Sequence, residues 1–242
     1  MGFVIDQDGI INRYAREKAG WDIHLDNCKK AILQAIDLHK SKNVTILGSG
    51  WLLDVPLKEI TERCDHVFLH DIVHPKLIQH KASKFNNVTL VESDITGGLI
   101  DEVHRVSKLN FQCFPVDSIS VPSFKTDHQS DLIISLNILN QLDILICDFI
   151  VNNFNVDDKS LIDFRKSIQQ SHINSLINNR FCLITDFEEE IENISSGEKS
   201  VRPLVLVPMP VSEHESSWTW KFDSTGNYIE NSKVIFNVKA IY

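Results

Sequence analysis

"NVTILGSGWLLDVPLKEI", residues 43–60, decides how this chain is read. Asn43 to Leu47 is a short β-rich run stopped by Gly48, which reads as a buried strand. Asp54 is placed to cap a helix, and Pro56 fits its first turn, where the missing N–H costs nothing. That helix is expected to run to about Arg63. Strand, Gly48-Ser49-Gly50 and helix, in that order, raise the question of which ligand sits on the turn. Glycine lets the backbone bend sharply and lets a ligand approach with no Cβ in the way. A dinucleotide-type GxGxxG would need a third glycine at position 53, and a GxGxG would need it at 52, but both positions are leucine. The motif therefore leaves a plain β-to-α turn open as an alternative.

Upstream, residues 12–40 carry Leu25, Cys28, Ile32, Ala35, Ile36 and His39 at three- and four-residue steps, one face of a helix. Downstream, "HVFLHDI" reads as a second strand, "PKLIQHKASKF" as a helix and "VTLVESDI" as a third strand. "DLIISLNILNQL" is a fourth, running into a helix near Asn140. A helix from about Ser160 to Ile177 and a fifth strand, "RFCLITDF", follow. Consecutive parallel strands need crossovers, and helices supply them, so both faces of the sheet are covered. The tail changes character: "RPLVLVPMP", "SWTWKF" and "KVIFNVKAIY" are β-rich, and "DSTGN" signals a turn. The last two runs are expected to form an antiparallel hairpin at one edge.

The 242 residues suffice for one α/β domain with a sizeable core. A net charge of -9 argues against nonspecific nucleic-acid binding, which needs basic surface to displace counterions. No apolar run reaches the roughly 18 residues that span a bilayer, which argues against a membrane partner. The start "MGFVIDQDGI" lacks a basic region and a long apolar stretch, so no signal peptide is expected. Five scattered cysteines without a CxxC read as reduced thiols of a cytoplasmic protein.

In open α/β sheets ligands bind beyond the C-terminal strand ends, so the residues closing each strand matter most. Asp71, 21 positions after Gly50 and followed by Ile72, closes the second strand, where a carboxylate can accept from ribose hydroxyls. It can equally cap the turn before Pro75. Asp94 closes the third; it can accept from an adenine amine with Ile95 covering the ring, or serve as a turn residue before Gly97-Gly98. Ser135, Leu136 and Asn137 close the fourth, with Asn137 also a candidate cap for the helix after it.

In this order on successive strands, these residues resemble the class I S-adenosylmethionine-dependent methyltransferases over roughly residues 44–187. The segments "YAREKAGWDIHLDNCKKAIL", "VTILGSGWLLDVPL", "VFLHDIVHP" and "VTLVESDITG" look more narrowly like poorly characterised bacterial methyltransferase-like proteins. The resemblance implies a Rossmann-like, mostly parallel seven-stranded sheet with helices on both faces and the antiparallel hairpin at the C-terminal edge. It implies one domain, with residues 1–42 a helical segment over the cofactor mouth and 43–242 the core. It further implies that S-adenosylmethionine is the cofactor, with Gly48, Ser49 and Gly50 at its amino-acid end. Asp71 and Ile72 would hold its ribose, Asp94 and Ile95 its adenine, and Asn137 would lie near the transferable group. The bulky Trp51-Leu52-Leu53 departs from the family pattern. The cofactor carries no pyrophosphate, so no bared helix N-terminus is needed for an anion.

Methyl transfer from a sulfonium needs chiefly an aligned nucleophile. The signature Asn/Asp-Pro-Pro-Tyr is absent after the fourth strand. His214, flanked by Glu213 and Glu215, is the base candidate, and Asn137 and Tyr14 are candidate substrate contacts, Tyr14 together with Arg16. The alternatives are a solvated loop histidine and a surface helix. Trp218 and Trp220 share one strand face and either stack on a flat substrate or pack on the sheet. His70, Asp71, His74 and His80 do not read as a convergent metal set, "DFEEEIE" (186–192) reads as a solvated helix start, and "DQDGI" (6–10) as a turn. No metal is expected. The acceptor expected is a small molecule. The competing readings are a noncatalytic nucleoside- or partner-binding module of the same fold, and an NAD-dependent oxidoreductase.

Overall fold

A computed structural model describes residues 3–126 and 128–242, with side chains described from Gly9 onward. The chain begins with α1 (Phe3–His39), bent at Glu17, whose φ/ψ of -103°/19° leave the helical region. "DQDGI" lies in the backbone of this helix rather than in a turn; the side chains of its Asp6, Gln7 and Asp8 lie outside the described residues. There follow β1 (Asn43–Leu47), α2 (Leu57–Arg63), β2 (His66–Asp71), α3 (Lys76–Ala82), β3 (Val88–Glu92) and α4 (Leu99–Ser107). Then come β4 (Leu132–Leu136), α5 (Ile144–Asn153), α6 (Asp158–Ile177), β5 (Phe181–Asn193), β6 (Lys199–Pro203), β7 (Glu215–Asp223) and β8 (Ser232–Ile241).

The sheet runs in the order β3-β2-β1-β4-β5-β8-β7, with β1 to β5 parallel and β7 and β8 antiparallel. These seven strands and the C-terminal hairpin are the architecture expected from the sequence. An eighth strand, β6, was not expected as "KSVRP": it pairs with Glu188–Glu192 of β5, and "LVLVPMP" continues as loop. β5 is long because its first half pairs with β4 while its second half projects beyond that strand's C-terminal end. "DFEEEIE" is therefore strand, not the start of a helix.

One face of the sheet carries Val44, Ile46, Val67, Leu69, Ile134 and Ile184, packed under α1 and α2. The other packs Leu47, Ile133 and Leu183 against Ile173 and Leu176 of α6. α4 and α5 join α6 through Leu99, Val103, Ile146, Ile150, Phe164 and Ile168. Burying a side chain of this size stabilises by about 1.5–3 kcal/mol, so the strand phase is strongly set. α1 presses closely on β7: a Cβ on Gly20 would stand 2.7 Å from the Lys221 carbonyl oxygen. Among the described residues no helix is long and apolar enough to cross a membrane.

Candidate functional site

The strand order reverses between β1 and β4, whose neighbours β2 and β5 lie on opposite sides. In open α/β sheets the ligand crevice lies at the C-terminal ends of such a pair, which here carry Gly48–Gly50 and Asn137. Gly48 (φ +82°) has no room for a side chain, since a Cβ would stand 2.1 Å from Ile138 Cγ2 and 2.9 Å from the Leu136 carbonyl oxygen. Gly48 and Ser49 donate backbone N–H groups to the His70 carbonyl, tying the turn to β2. Gly50 (φ +46°) is different: the only neighbour a Cβ would meet is the Gly48 oxygen, at 4.0 Å. Its crowding constraint is absent, and the space in front of it is open.

Asp71 meets this turn directly. Its Oδ2 accepts from Gly50 N–H at 2.7 Å and its Oδ1 from Ile72 N–H at 2.8 Å. Burial raises its pKa above the ordinary carboxylate value, against the downward pull of these donors, of Val73 N–H and of His74. A carboxylate has about four lone-pair sites, and the Val73 backbone also acts on this one. Ser49 is buried, and its Oγ has no hydrogen-bond partner. Leu52, the position of the third glycine in GxGxG, keeps a left-handed backbone (φ +54°) despite its side chain.

Asp94 is used otherwise. Its Oδ1 accepts from Thr96 N–H and Oγ1, and its Oδ2 from Gly98 and Ile100 N–H. Four donors fill the carboxylate's capacity, so Asp94 closes the turn into α4 and has no lone pair left for an adenine amine. Ile95 packs beside Leu47, Ile133 and Ile173 on the α6 side of the sheet. The turn alternative is the one these bonds support.

Asn137 closes β4 with an unusual backbone. It has a left-handed backbone (φ +52°), is 8% exposed, and its Oδ1 has no partner. Its Nδ2 donates to Asp54 Oδ2 at 2.8 Å. Asp54 therefore does not cap α2, whose N-cap position is Pro56; its carboxyl turns into the crevice, and burial lifts its pKa to about 6. Ser135 lies on the other face, with its Oγ 2.8 Å from His172 Nε2, and does not face the crevice.

α1 turns Arg13, Glu17, Trp21, His24 and Cys28, at helical spacing, toward β7 and Asn137. Trp218 Nε1–H donates to His24 Nδ1 at 3.1 Å, and the Trp220 ring stacks on the imidazole at 3.9 Å. Both tryptophans pack on protein, not on an open substrate platform. Burial lowers the His24 pKa to about 3, so its imidazole is neutral. Nε2 faces Cys28 Sγ at 3.5 Å and Asn137 Nδ2 at 3.4 Å, so donors approach both ring nitrogens. Among the described residues His24, Cys28 and Asp54 alone bring three ligand atoms together, within 4.8 Å of one another. Nδ1 accepts from Trp218 where a ligating histidine normally donates its second ring N–H, which does not favour a metal there. His70, His74 and His80 do not converge either: His70 Nδ1 meets Ser93 Oγ, His74 Nε2 the Val91 carbonyl, and His80 ends α3.

Two sequence candidates fall outside the crevice. His214 is exposed beside Tyr242, and its neighbour Glu215 pairs with Ile241, which pairs with Leu183 near the start of β5. Strands β5 and β8 lie between it and β4, which sets it too far across the sheet for a base at Asn137. Tyr14 OH donates to Asp22 Oδ1 at 3.3 Å along α1, and Arg16 is exposed.

Sequence reasoning missed Asp186, Glu189 and Asn140. Across β5 and β8 the register pairs Asp186 with Val238, Glu188 with Asn237 and Glu189 with Phe236, leaving Phe187 as a bulge. The extra residue puts Asp186 and Glu189 on one face, the face under α1. Asn140 Nδ2 donates to Asp186 Oδ2 at 2.9 Å, and Glu189 pairs with Arg202. Burial, aided by Glu189, raises the Asp186 pKa to about 6. The phase of Cys182 and Ile184, both buried, was the available signal that Asp186 points inward.

No protein-family model and no curated protein matches the chain. Solved structures do. A complex titled "DhpI-SAH" is 12% identical, covers 97% of this chain and 94% of its own, and has a TM-score of 0.38. The N-methyltransferase NodS from Bradyrhizobium japonicum WM9 is 9% identical over 89% of this chain and 94% of its own, with a TM-score of 0.38. The 1,6-didemethyltoxoflavin-N1-methyltransferase of Burkholderia thailandensis, with bound 1,6-didemethyltoxoflavin and S-adenosylhomocysteine, is 10% identical over 99% and 88%, with a TM-score of 0.40. Likeness at this level sets no residue correspondence; the site is defined by the chain's own geometry.

Proposed function

We propose that the protein is an S-adenosylmethionine-dependent methyltransferase acting on a small-molecule acceptor. The observation that carries this reading is the crevice at the switch point. There Gly50 is open in front and bonded to the Asp71 carboxylate, and a strained, buried Asn137 across from it holds an unpartnered oxygen. Strained backbone that persists in a folded protein marks functional positions more often than others.

The donor set fits this cofactor, whose ammonium and ribose hydroxyls are donors while the crevice presents acceptors. The Asp71 carboxylate, beside Ile72, receives the ribose. Gly48, Ser49 and Gly50 admit the amino-acid end, and Asn137 Oδ1 with Asp54 receives its ammonium. Asp94 shapes the adenine side only by holding the turn into α4. The bound cofactor supplies a methyl group already activated on a sulfonium. The chain's own part is to orient the acceptor and keep water out, and α1, docked on β7 through Gly20, is the cover.

The same features disfavour a dinucleotide. Residues 51–56 separate the glycine turn from α2, whose N-cap is a proline without an N–H, so no bared helix end faces the turn. Asp54 adds a carboxyl where a pyrophosphate would need donors.

Calorimetry with S-adenosylhomocysteine and with NADH tests this. Heat is expected from the first alone, and Asp71→Ala should weaken it by about tenfold or more, the cost of losing an acceptor of charged type. NADH binding, or S-adenosylhomocysteine binding untouched by Asp71→Ala, overturns the assignment.

A further inference from the structure

Next to the crevice lies a group of buried oxygens whose needs the protein does not meet. Asp186, Glu189 and Asn140 are 2%, 0% and 5% exposed. One oxygen of each, Asp186 Oδ1, Glu189 Oε1 and Asn140 Oδ1, has no hydrogen-bond partner. Buried polar atoms are nearly always paired, and each exception calls for an explanation. These three are acceptors; the surrounding wall also holds two unpartnered donors, Trp220 Nε1 and Arg13 Nε.

Their placement is built into the fold. The bulge at Phe187 turns Asp186 and Glu189 to the same side, in line with Ile184 and Ile191 of the apolar face. The rows across the sheet then read Asp186–Val238–Trp218 and Glu189–Phe236–Trp220. Two acids thus stand in an aromatic wall under α1. The inner end of the group adjoins the crevice: Asp54 and Asp186 both act on the buried Cys28 thiol, whose Sγ is 3.7 Å from Asn137 Nδ2. The outer end reaches the surface, where Arg202 and Tyr228 are exposed and both are electrostatically coupled to Glu189.

Charge is unbalanced in the same sense. Glu189 has Arg202, but among the described residues no salt bridge neutralises Asp186. Arg13 is held over the rings of Phe222 and Tyr228, at 4.6 and 4.9 Å. An uncompensated carboxylate in an apolar wall is costly, and a cation that donates hydrogen bonds removes that cost.

We propose that Asn140, Asp186 and Glu189 form the acceptor subsite, and that the acceptor carries a protonated primary amine bound by their free oxygens. A primary ammonium has three N–H donors, matching one to each oxygen. An anion would be repelled and a neutral alcohol would leave oxygens unmet. The inference rests on the methyltransferase reading and concerns recognition; the nitrogen bound there need not be the atom that receives the methyl group.

The test is a thermal-shift and calorimetric screen of the full chain with S-adenosylhomocysteine present. It uses a set of small primary amines, including tyramine, putrescine and ethanolamine, and their hydroxyl and carboxylate counterparts. Stabilisation is expected from members of the amine set only. Asp186→Asn, and independently Glu189→Gln, should weaken that binding about tenfold or more, as losing a charge-assisted hydrogen bond does. Each should leave S-adenosylhomocysteine affinity within about threefold, since one such factor is well under a hydrogen bond. Stabilisation by the neutral or anionic sets, by none of the sets, or by amines equally in both variants overturns the subsite. Failure of S-adenosylhomocysteine itself to bind overturns instead the cofactor reading beneath it.

Discussion

Asp94 beyond β3 and Asp186 on β5 belong to one sheet, yet the fold treats the two carboxyls in opposite ways. Asp94 takes four donors from the turn it closes, so its charge is spent on holding α4 in place. Asp186 takes one, from Asn140, and is buried among Ile184, Phe236 and Val238 with an oxygen left over. A polar group that satisfies itself locally stabilises the fold and has little left for a ligand. One that the fold buries at a cost holds back binding capacity, and such sites sit where stability has been traded for function.

The largest effect expected from this contrast is a gain in stability on losing a charge. Asp186 titrates near 6 in the folded protein and near 3.8 otherwise. The raised value means that the unfolded chain ionises first, so this carboxyl's contribution is complete below about pH 4 and is lost as pH rises to about 6. The full shift corresponds to roughly 3 kcal/mol. Asp186→Asn removes the charge but introduces an amide, so about 1–2 kcal/mol of stabilisation is expected at pH 7. Chemical denaturation of both proteins from pH 4 to 8 measures it. The difference should fade below pH 4 and level off above pH 6; a variant less stable at pH 7 would show that Asp186 is satisfied after all.

The opposite sign is expected at the other strand end. Asp94→Ala leaves the first N–H groups of α4 without acceptors and should cost about 1–2 kcal/mol, as lost caps do. S-adenosylhomocysteine affinity, measured alongside, should change by less than about threefold, below the worth of one hydrogen bond. A tenfold loss of affinity with unchanged stability would restore Asp94 to the adenine site and erase the contrast.

The sequence carried the frame of this molecule better than its contents. Alternation and glycine punctuation gave the parallel strands, and the spacing of Gly50 and Asp71 singled out two strand-end residues, whose bond to each other at 2.7 Å it did not show. α4 was missed because "LIDEVHRVS" is short and follows two glycines. His24, Asp54 and Asp186 were missed for another reason. Their partners Trp218, Asn137 and Asn140 lie 194, 83 and 46 positions away, distances no local pattern encodes. The bulge at Phe187 also breaks the two-residue phase, so "DFEEEIE" looks uniformly solvated although two of its acids are buried. Asp54 was misread because an acid ahead of a proline is an ordinary cap, and only the fold of residues 51–56 shows it turned inward.

Leu52 is a third place where the fold accepts a cost, and it yields the smallest and most discriminating effect. A leucine at φ +54° bears about 1–2 kcal/mol of backbone strain, which glycine would relieve. Against this, Leu52 is half-buried on the α1 side of the core, so Leu52→Gly gives up part of a side chain's burial and gains chain entropy when unfolded. The terms nearly cancel, and Leu52→Gly should lie within about 1 kcal/mol of the parent protein. Leu52→Ala loses similar packing but keeps the Cβ that causes the strain. It should therefore be less stable than the glycine variant by about 1 kcal/mol, the reverse of the usual order. Equilibrium unfolding of the three proteins decides the matter. Alanine more stable than glycine would mean that the turn does not hold the left-handed geometry of a third glycine, and that the departure at Trp51-Leu52-Leu53 reshapes the loop rather than only filling it.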